Sequence, residues 1–156
     1  MISVSVPGWR TLELECLVLD LNGTIALDGE LLPGVNERLD ALSTLLTIHL
    51  ATADTHGWAA QSAERLELQL VRIAPGREGE QKLSIVERLG PGRTAAIGNG
   101  ANDAAMLAAA ALGIAVLGPE GLSTAALQAA NVVVGGIEDA LDLLLRPQRL
   151  RATLRR

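Results

Sequence analysis

The segment Cys16-Leu17-Val18-Leu19 followed by Asp20-Leu21-Asn22-Gly23-Thr24 puts a carboxylate at the end of an apolar run. The run reads as a short, fully buried strand of a parallel sheet. Asp20 stands where that strand ends, and Gly23 supplies a bend that a bulkier residue resists. In open α/β sheets ligands bind outside the carboxyl ends of the strands. A carboxylate there can attack a phosphoryl group or hold a divalent cation, with Asn22 and Thr24 within reach of the same point. The same residues also fit a strand followed by an Asx or glycine turn.

A second acidic segment lies far downstream. Thr94-Ala95-Ala96-Ile97 reads as another short strand and runs into Gly98-Asn99-Gly100-Ala101-Asn102-Asp103-Ala104-Ala105-Met106-Leu107. This is a glycine-rich turn opening into an Ala-rich helix, with Asn99 and Asp103 expected to point back toward the strand tips. A dinucleotide site does not suit it, because the third glycine of that fingerprint is missing and Asp103 would repel a pyrophosphate. An EF-hand is excluded by Ile25 at the required glycine and Leu31 at the last ligand position.

The elements that must position these residues alternate strand and helix, as α/β folds do. Ile2–Val6 and Thr11–Leu14 flank Pro7-Gly8 as an N-terminal hairpin or edge extension. Ile25–Leu32 is a hairpin signal with Asp28-Gly29 as its two-residue turn. A helix begins after Pro33-Gly34 and buries Val35, Leu39, Leu42 and Leu46. Thr47–Ala51 is a strand that ends at Thr52-Ala53-Asp54. A helix over roughly Trp58–Leu66 and a strand over Leu68–Ile73 follow. The Lys82 helix turns Leu83, Val86 and Leu89 inward. Strands Gly113–Leu117 and Val132–Val134 precede a helix with Ile137, Leu141, Leu144 and Leu145 on one face. After Pro147 the arginine-rich end reads as a solvated or fraying helix. The expected domain is single over residues 1–156, with a core of about 14–145 and a basic tail over 146–156.

At 156 residues the chain is long enough to bury a complete core without staples. Phe and Tyr are absent and Trp9 and Trp58 are the only aromatic residues, so the core must be aliphatic. The lack of stacking residues and the net charge of −5 argue against nucleic acid as a partner. Cys16, in the first apolar strand, reads as a buried core residue. No apolar run is long enough to span a membrane and no signal peptide is seen, so the expected compartment is the cytoplasm. Of the 13 basic residues only Lys82 is a lysine. A compact ammonium suits a phosphate or carboxylate, although composition alone reads Lys82 as an exposed first-turn helix residue.

Four segments, in order, resemble the haloacid dehalogenase superfamily: Asp20-Leu21-Asn22-Gly23-Thr24, Thr52, Lys82, and Gly98-Asn99-Gly100-Ala101-Asn102-Asp103. The wording is nearest the phosphorylation domain of P-type ATPases, with Thr52-Ala53-Asp54 similar to their Thr-Gly-Asp segment. The resemblance covers roughly residues 14–145. It implies a three-layer, Rossmann-like α/β sandwich with a mostly parallel sheet, helices on both faces and a small β-hairpin flap. It also overturns the exposed reading of Lys82. Asp20 would be the nucleophile that forms an aspartyl phosphate, acting with Asn22, Thr52 and Lys82. Asn22, Gly23, Thr52, Ala53, Lys82 and Asn102 would hold the phosphate. Mg²⁺ would sit against Asp20, the backbone carbonyl of Asn22, Asn99 and Asp103.

Two departures qualify that reading. Superfamily phosphatases usually carry Asp at the position of Asn22, where it protonates the leaving group and later activates water; an amide does neither. Asn99 stands where the fourth motif usually has Asp, which removes a negative charge from the metal site. Turnover is therefore expected to be slow. About thirty residues separate Asp20 from Thr52 and about thirty separate Thr52 from Lys82, which leaves no room for a cap domain, an ATP-binding insert or a membrane region. The expectation is a phosphohydrolase or phosphotransferase acting on a small phosphorylated substrate or a phosphoprotein. The alternatives are a catalytically weak regulatory module that keeps the phosphate and metal pocket, and, less in keeping with the motif spacing, a receiver-like domain. A homo-oligomer is expected on the ground that the Ile25–Leu32 hairpin exposes apolar residues beside an open site.

Overall fold

The computed structural model of the chain describes residues 1–53, 63 and 68–156. Its elements run, in chain order, β1 (Ile2–Ser5), β2 (Thr11–Leu14), β3 (Cys16–Asp20), β4 (Ala26–Leu27), β5 (Glu30–Leu31), α1 (Val35–Ser43), β6 (Thr47–Thr52) and β7 (Gln69–Arg72). Then follow α2 (Glu78–Leu89), β8 (Thr94–Gly98), α3 (Ala104–Ala109), β9 (Leu112–Val116), α4 (Thr124–Ala129), β10 (Val132–Val134), α5 (Ile137–Leu145) and α6 (Pro147–Leu154). Asp54 and, apart from Ala63, the helix expected over roughly Trp58–Leu66 lie outside the described residues.

Among the described residues six strands form the central sheet in the order β7-β6-β3-β8-β9-β10, every neighbouring pair parallel. Counted from β3, that is the doubly wound order 3-2-1-4-5-6, and the chain changes direction between β3 and β8. The two segments singled out by their chemistry, after β3 and after β8, therefore meet at the switch point.

Alternation along the strands separates two cores. Leu17, Leu19, Ile48, Leu50, Ile97, Ile114 and Val116 point to one face, where α1, α5 and the β1–β2 hairpin cover them. Val18, Ala51, Ala96 and Ala115 point to the other, against Ile85, Val86, Met106, Leu107 and Ala126 of α2, α3 and α4. Small residues on the second face let the helices lie close to the sheet, so a core without Phe or Tyr still packs. Cys16 is free and buried, as its place in an apolar strand implies.

The structure adjusts several local expectations. On α2, Lys82 is buried at 3% exposure, together with Ile85 and Val86, while Leu83 is only half-buried. The helix starts at Glu78, so Lys82 falls in its second turn and faces the sheet. α1 ends at Ser43, and Leu46 reaches the core from the turn beyond it. The β4–β5 hairpin has the expected Asp28-Gly29 turn, both residues at positive φ (51° and 82°), the backbone of a type I′ turn. Its apolar residues are not exposed, however: Ile25 and Ala26 are buried, and Leu31 and Leu32 pack against the core. The hairpin therefore offers a partner only the half-buried Leu27, Leu31 and Leu32, less apolar surface than its sequence suggests. The C-terminal end is not fraying. Pro147 opens α6, Leu150 is fully buried, and the Arg156 N–H donates to the Pro7 carbonyl at 3.0 Å. Its arginines stay in water. No helix among the described residues is long and apolar enough to cross a membrane.

Candidate active site

Asp20 is the last residue of β3, in register with Ala51 of β6 and flanked by β8. Because parallel strands place their carboxyl ends on one edge, Asp20, Thr52 and the turn after Gly98 converge there. They line a cleft of about 330 Å³ together with Asn22, Ala53, Lys82, Asn99, Gly100, Asn102, Glu78 and Glu120. The cleft thus gathers most of the residues expected at the site. Gly23 and Asp103 lie behind its wall.

Lys82 organises the charge. Its Nζ donates to Asp20 Oδ1 at 2.7 Å and to Asp103 Oδ1 at 2.6 Å. Asp103 is fully buried, and its Oδ2 accepts the N–H groups of Asn99 (3.0 Å) and Gly100 (2.9 Å). Asp103 therefore holds both the ammonium and the glycine-rich turn. The Thr24 hydroxyl, fully buried, lies 3.2 Å from Asp20 Oδ2 and 3.1 Å from Asn99 Oδ1 and shares one proton between them. Thr24 orients the nucleophile candidate. Sequence reasoning placed it within reach but gave it no role.

Burial pushes the Asp20 carboxyl up to about 6, aided by the neighbouring Asp103 charge and opposed by Lys82 and Thr24. Burial works against the Lys82 ammonium, yet Asp20 and Asp103 outweigh it and hold its pKa above the ordinary lysine value. The site keeps a permanent cation beside a carboxylate whose ionisation is costly.

Two expected ligands are engaged elsewhere. The Asn99 side chain accepts from Thr24 and donates from Nδ2 to the Gly121 carbonyl at 3.1 Å, so both ends of its amide are in use. The Gly23 N–H is committed to the Ala26 carbonyl at 2.8 Å. Among the described residues no group of three acidic, His or Cys side chains forms a ready cage for a metal. Mg²⁺ does not require one, since it usually takes one or two carboxylates plus waters and phosphate oxygens. Asp20, which faces the cleft and has hard oxygen donors, fits that pattern. Glu78 and Glu120 on the cleft wall were not anticipated. Nothing in their local sequence marks them, because the folded loops alone bring them there.

A family model described as haloacid dehalogenase-like hydrolase matches residues 3–111. Uncharacterized protein MJ0073 of Methanocaldococcus jannaschii is 46% identical over 84 residues, 51% of this chain and 90% of its own length. Uncharacterized protein MJ0072 of the same organism is 51% identical over 39 residues, 25% of this chain and 89% of its own length. In structure the chain is similar to 3-deoxy-D-manno-octulosonate 8-phosphate phosphatase from Moraxella catarrhalis, crystallised with magnesium, phosphate and the sugar. The TM-score is 0.68 at 15% identity, over 89% of this chain and 90% of that one. The cobalt-bound deoxy-D-mannose-octulosonate 8-phosphate phosphatase from Haemophilus influenzae matches with a TM-score of 0.66 at 15% identity, over 88% and 90% of the two chains.

Proposed function

The chain belongs to the haloacid dehalogenase-like hydrolases, and from that membership we propose that it is a Mg²⁺-dependent phosphohydrolase or phosphotransferase working through an aspartyl phosphate on Asp20. The observation that carries this reading is the buried Lys82 ammonium 2.7 Å from a strand-end carboxylate at the switch point of the sheet. Phosphoryl transfer asks chiefly for positioning and charge neutralisation, and these residues supply both.

A cleft-facing oxygen of Asp20 attacks phosphorus, the bond to the leaving oxygen breaks, and that oxygen departs with the electron pair. Lys82 neutralises charge on the nucleophile and the incoming phosphoryl oxygens. Thr52, Ala53, Asn22 and Asn102, on the cleft wall, supply contacts to those oxygens. Asp103 and Thr24 hold Lys82 and Asp20 in place from behind. When bound, Mg²⁺ would be held by Asp20 and the Asn22 carbonyl, with Asn99 and Asp103 supporting the turn beside it, and would neutralise the remaining phosphate charge.

A cleft of this size suits a small phosphorylated substrate, and the phosphatase neighbours act on such a molecule by their names. The segment between β3 and β6 contains only the β4–β5 hairpin and α1, so it adds no cap over the cleft. Asn22 supplies no proton carrier, so breakdown of the phosphoenzyme should limit turnover.

Rapid-quench kinetics with p-nitrophenyl phosphate and Mg²⁺ tests the reading. A burst approaching one equivalent, followed by slow steady release, is expected. In Asp20→Asn both phases should vanish, because only a carboxylate forms the acyl phosphate. Wild type without a burst or labelled protein would favour a phosphate-binding regulatory module instead.

A further inference from the structure

The turn after β9 brings a carboxylate to the side of the cleft where position 22 lacks one. Gly118 and Gly121 close that turn through a hydrogen bond of 2.9 Å, with Pro119 and Glu120 at its tip. It packs backbone-to-backbone on the Asp20–Thr24 loop. A Cβ on Gly118 would stand 2.5 Å from the Gly23 carbonyl oxygen, and a Cβ on Gly23 would collide with the Glu120 carboxylate. The backbone contact demands glycine at 118; at 23 the positive φ does so, since the exposed Glu120 side chain can swing aside. Asn99 ties the turn down from the other side. Its Nδ2 donates to the Gly121 carbonyl, its own carbonyl accepts the Ser123 N–H at 2.9 Å, and its Oδ1 accepts from Thr24. Three segments are thus interlocked around the position of one side chain.

Glu120 lines the cleft beside Asp20 and Asn22, and it makes no hydrogen bond or ion pair with another described residue. The other acids near the site are committed. Asp103 is buried under Lys82, and Glu78 accepts the Gly76 N–H at 3.0 Å. An uncompensated carboxylate on the wall of a phosphate site weakens anion binding by like-charge repulsion. A neutral residue would pack against Gly23 without that cost.

We propose that Glu120 is the proton acceptor for hydrolysis of the aspartyl phosphate, in place of the carboxylate that position 22 lacks. The inference rests on Asp20 being the phosphorylated residue. In the step, a water oxygen attacks phosphorus from the side opposite Asp20. The bond between phosphorus and the Asp20 oxygen breaks, and its electron pair returns to the Asp20 carboxylate. The water proton passes to Glu120, inorganic phosphate leaves, and Glu120 returns the proton to solvent. Asn99 then acts as a positioning residue that holds the Glu120 turn against the nucleophile loop.

The test separates formation of the phosphoenzyme from its decay. The chain is phosphorylated with acetyl phosphate and saturating Mg²⁺, the donor is removed, and the phosphoprotein is followed by intact-mass spectrometry. Glu120→Gln, isosteric and exposed, should form phosphoprotein within about twofold of wild type. It should lose it on the order of 10²-fold more slowly, the lower end of a general acid–base contribution. Asn22→Asp introduced into that variant should also restore rapid decay, and added formate should speed decay in Glu120→Gln, a rescue by an exogenous carboxylate that a merely structural role for Glu120 would not allow. Decay at the wild-type rate in Glu120→Gln would overturn the proposal. So would a raised Mg²⁺ requirement for formation with decay unchanged at saturation, which would make Glu120 a metal contact. Absence of phosphoprotein in wild type would instead overturn the assignment of Asp20, and this inference with it.

Discussion

Three charged groups share one buried spot at the tip of β3, and their balance sets how the site responds to pH. Asp20 titrates near 6 in the fold, against an ordinary 3.8, because burial and Asp103 disfavour its ionised form. A carboxyl raised in this way binds more protons folded than unfolded between those values, so its contribution favours the fold at low pH and is lost as pH rises through that window. In metal-free protein at pH 7.5, Asp20→Asn should therefore melt several degrees higher than wild type, a gain of roughly 1–3 kcal/mol. The gain should shrink to nothing by about pH 4. An equal or lower melting temperature at pH 7.5 would contradict the electrostatic account. Lys82→Met should act in the opposite direction. It leaves Asp20 and Asp103 facing each other without a cation, and breaking a buried pair costs about 3–5 kcal/mol. Urea unfolding at pH 7.5 should show that loss, and acidification toward pH 5 should recover part of it as the carboxyls are neutralised.

Elements matter here chiefly for how closely they bring loops together. β3, β8 and β9 end on one edge of the sheet, so the Asp20–Thr24 loop, the Asn99 turn and the Gly118–Gly121 turn pack against one another, with the Asn99 side chain bridging the other two. Gly23, at φ 76°, is the tightest point. Gly23→Ala combines an unfavourable backbone conformation with a collision against Glu120, and the expected loss of stability is about 1–3 kcal/mol. Adding Glu120→Ala should return part of it by removing the collision while the φ strain remains. A double-mutant cycle in urea should give a coupling of at least about 0.5 kcal/mol. Purely additive values would mean that the Glu120 side chain moves aside and does not constrain position 23. The Asp28-Gly29 turn, in contrast, is legible directly from its two residues, because a type I′ turn needs positive φ at both and this pair adopts it readily.

For the molecule as a whole, the C-terminal end closes the fold. α6 buries Leu150 beneath the face of the sheet that the N-terminal hairpin also covers, and the last residue hydrogen-bonds to Pro7. Leu150→Ala should cost about 2–5 kcal/mol, the range for truncating a fully buried leucine, measured as a drop in the urea midpoint with the slope unchanged. A loss under about 0.5 kcal/mol would return α6 to the status of a solvated tail. The helix has a single buried leucine, Leu150, flanked directly by Arg149 and Arg151. That pattern reads as a solvated end until the surface it docks on is known.

Local patterning determined much of this protein. The alternation of strands and helices, the Asp20 strand end, the glycine-rich turn before Asp103 and the uninterrupted spacing between motifs follow from residue type and period, which act over a few neighbours. The burial of Lys82 was legible only through resemblance, since a lysine in a helix reads as exposed until two carboxylates from β3 and the Asn99 turn are placed against it. The engagement of Asn99 with Thr24 and Gly121, the retreat of Asp103 behind the cleft wall and the arrival of Glu120 beside Asn22 were decided by tertiary structure alone. The physical reason is the same in each case. These contacts join residues up to 97 positions apart, and a hydrogen bond or a collision at that separation leaves no periodic trace in the chain.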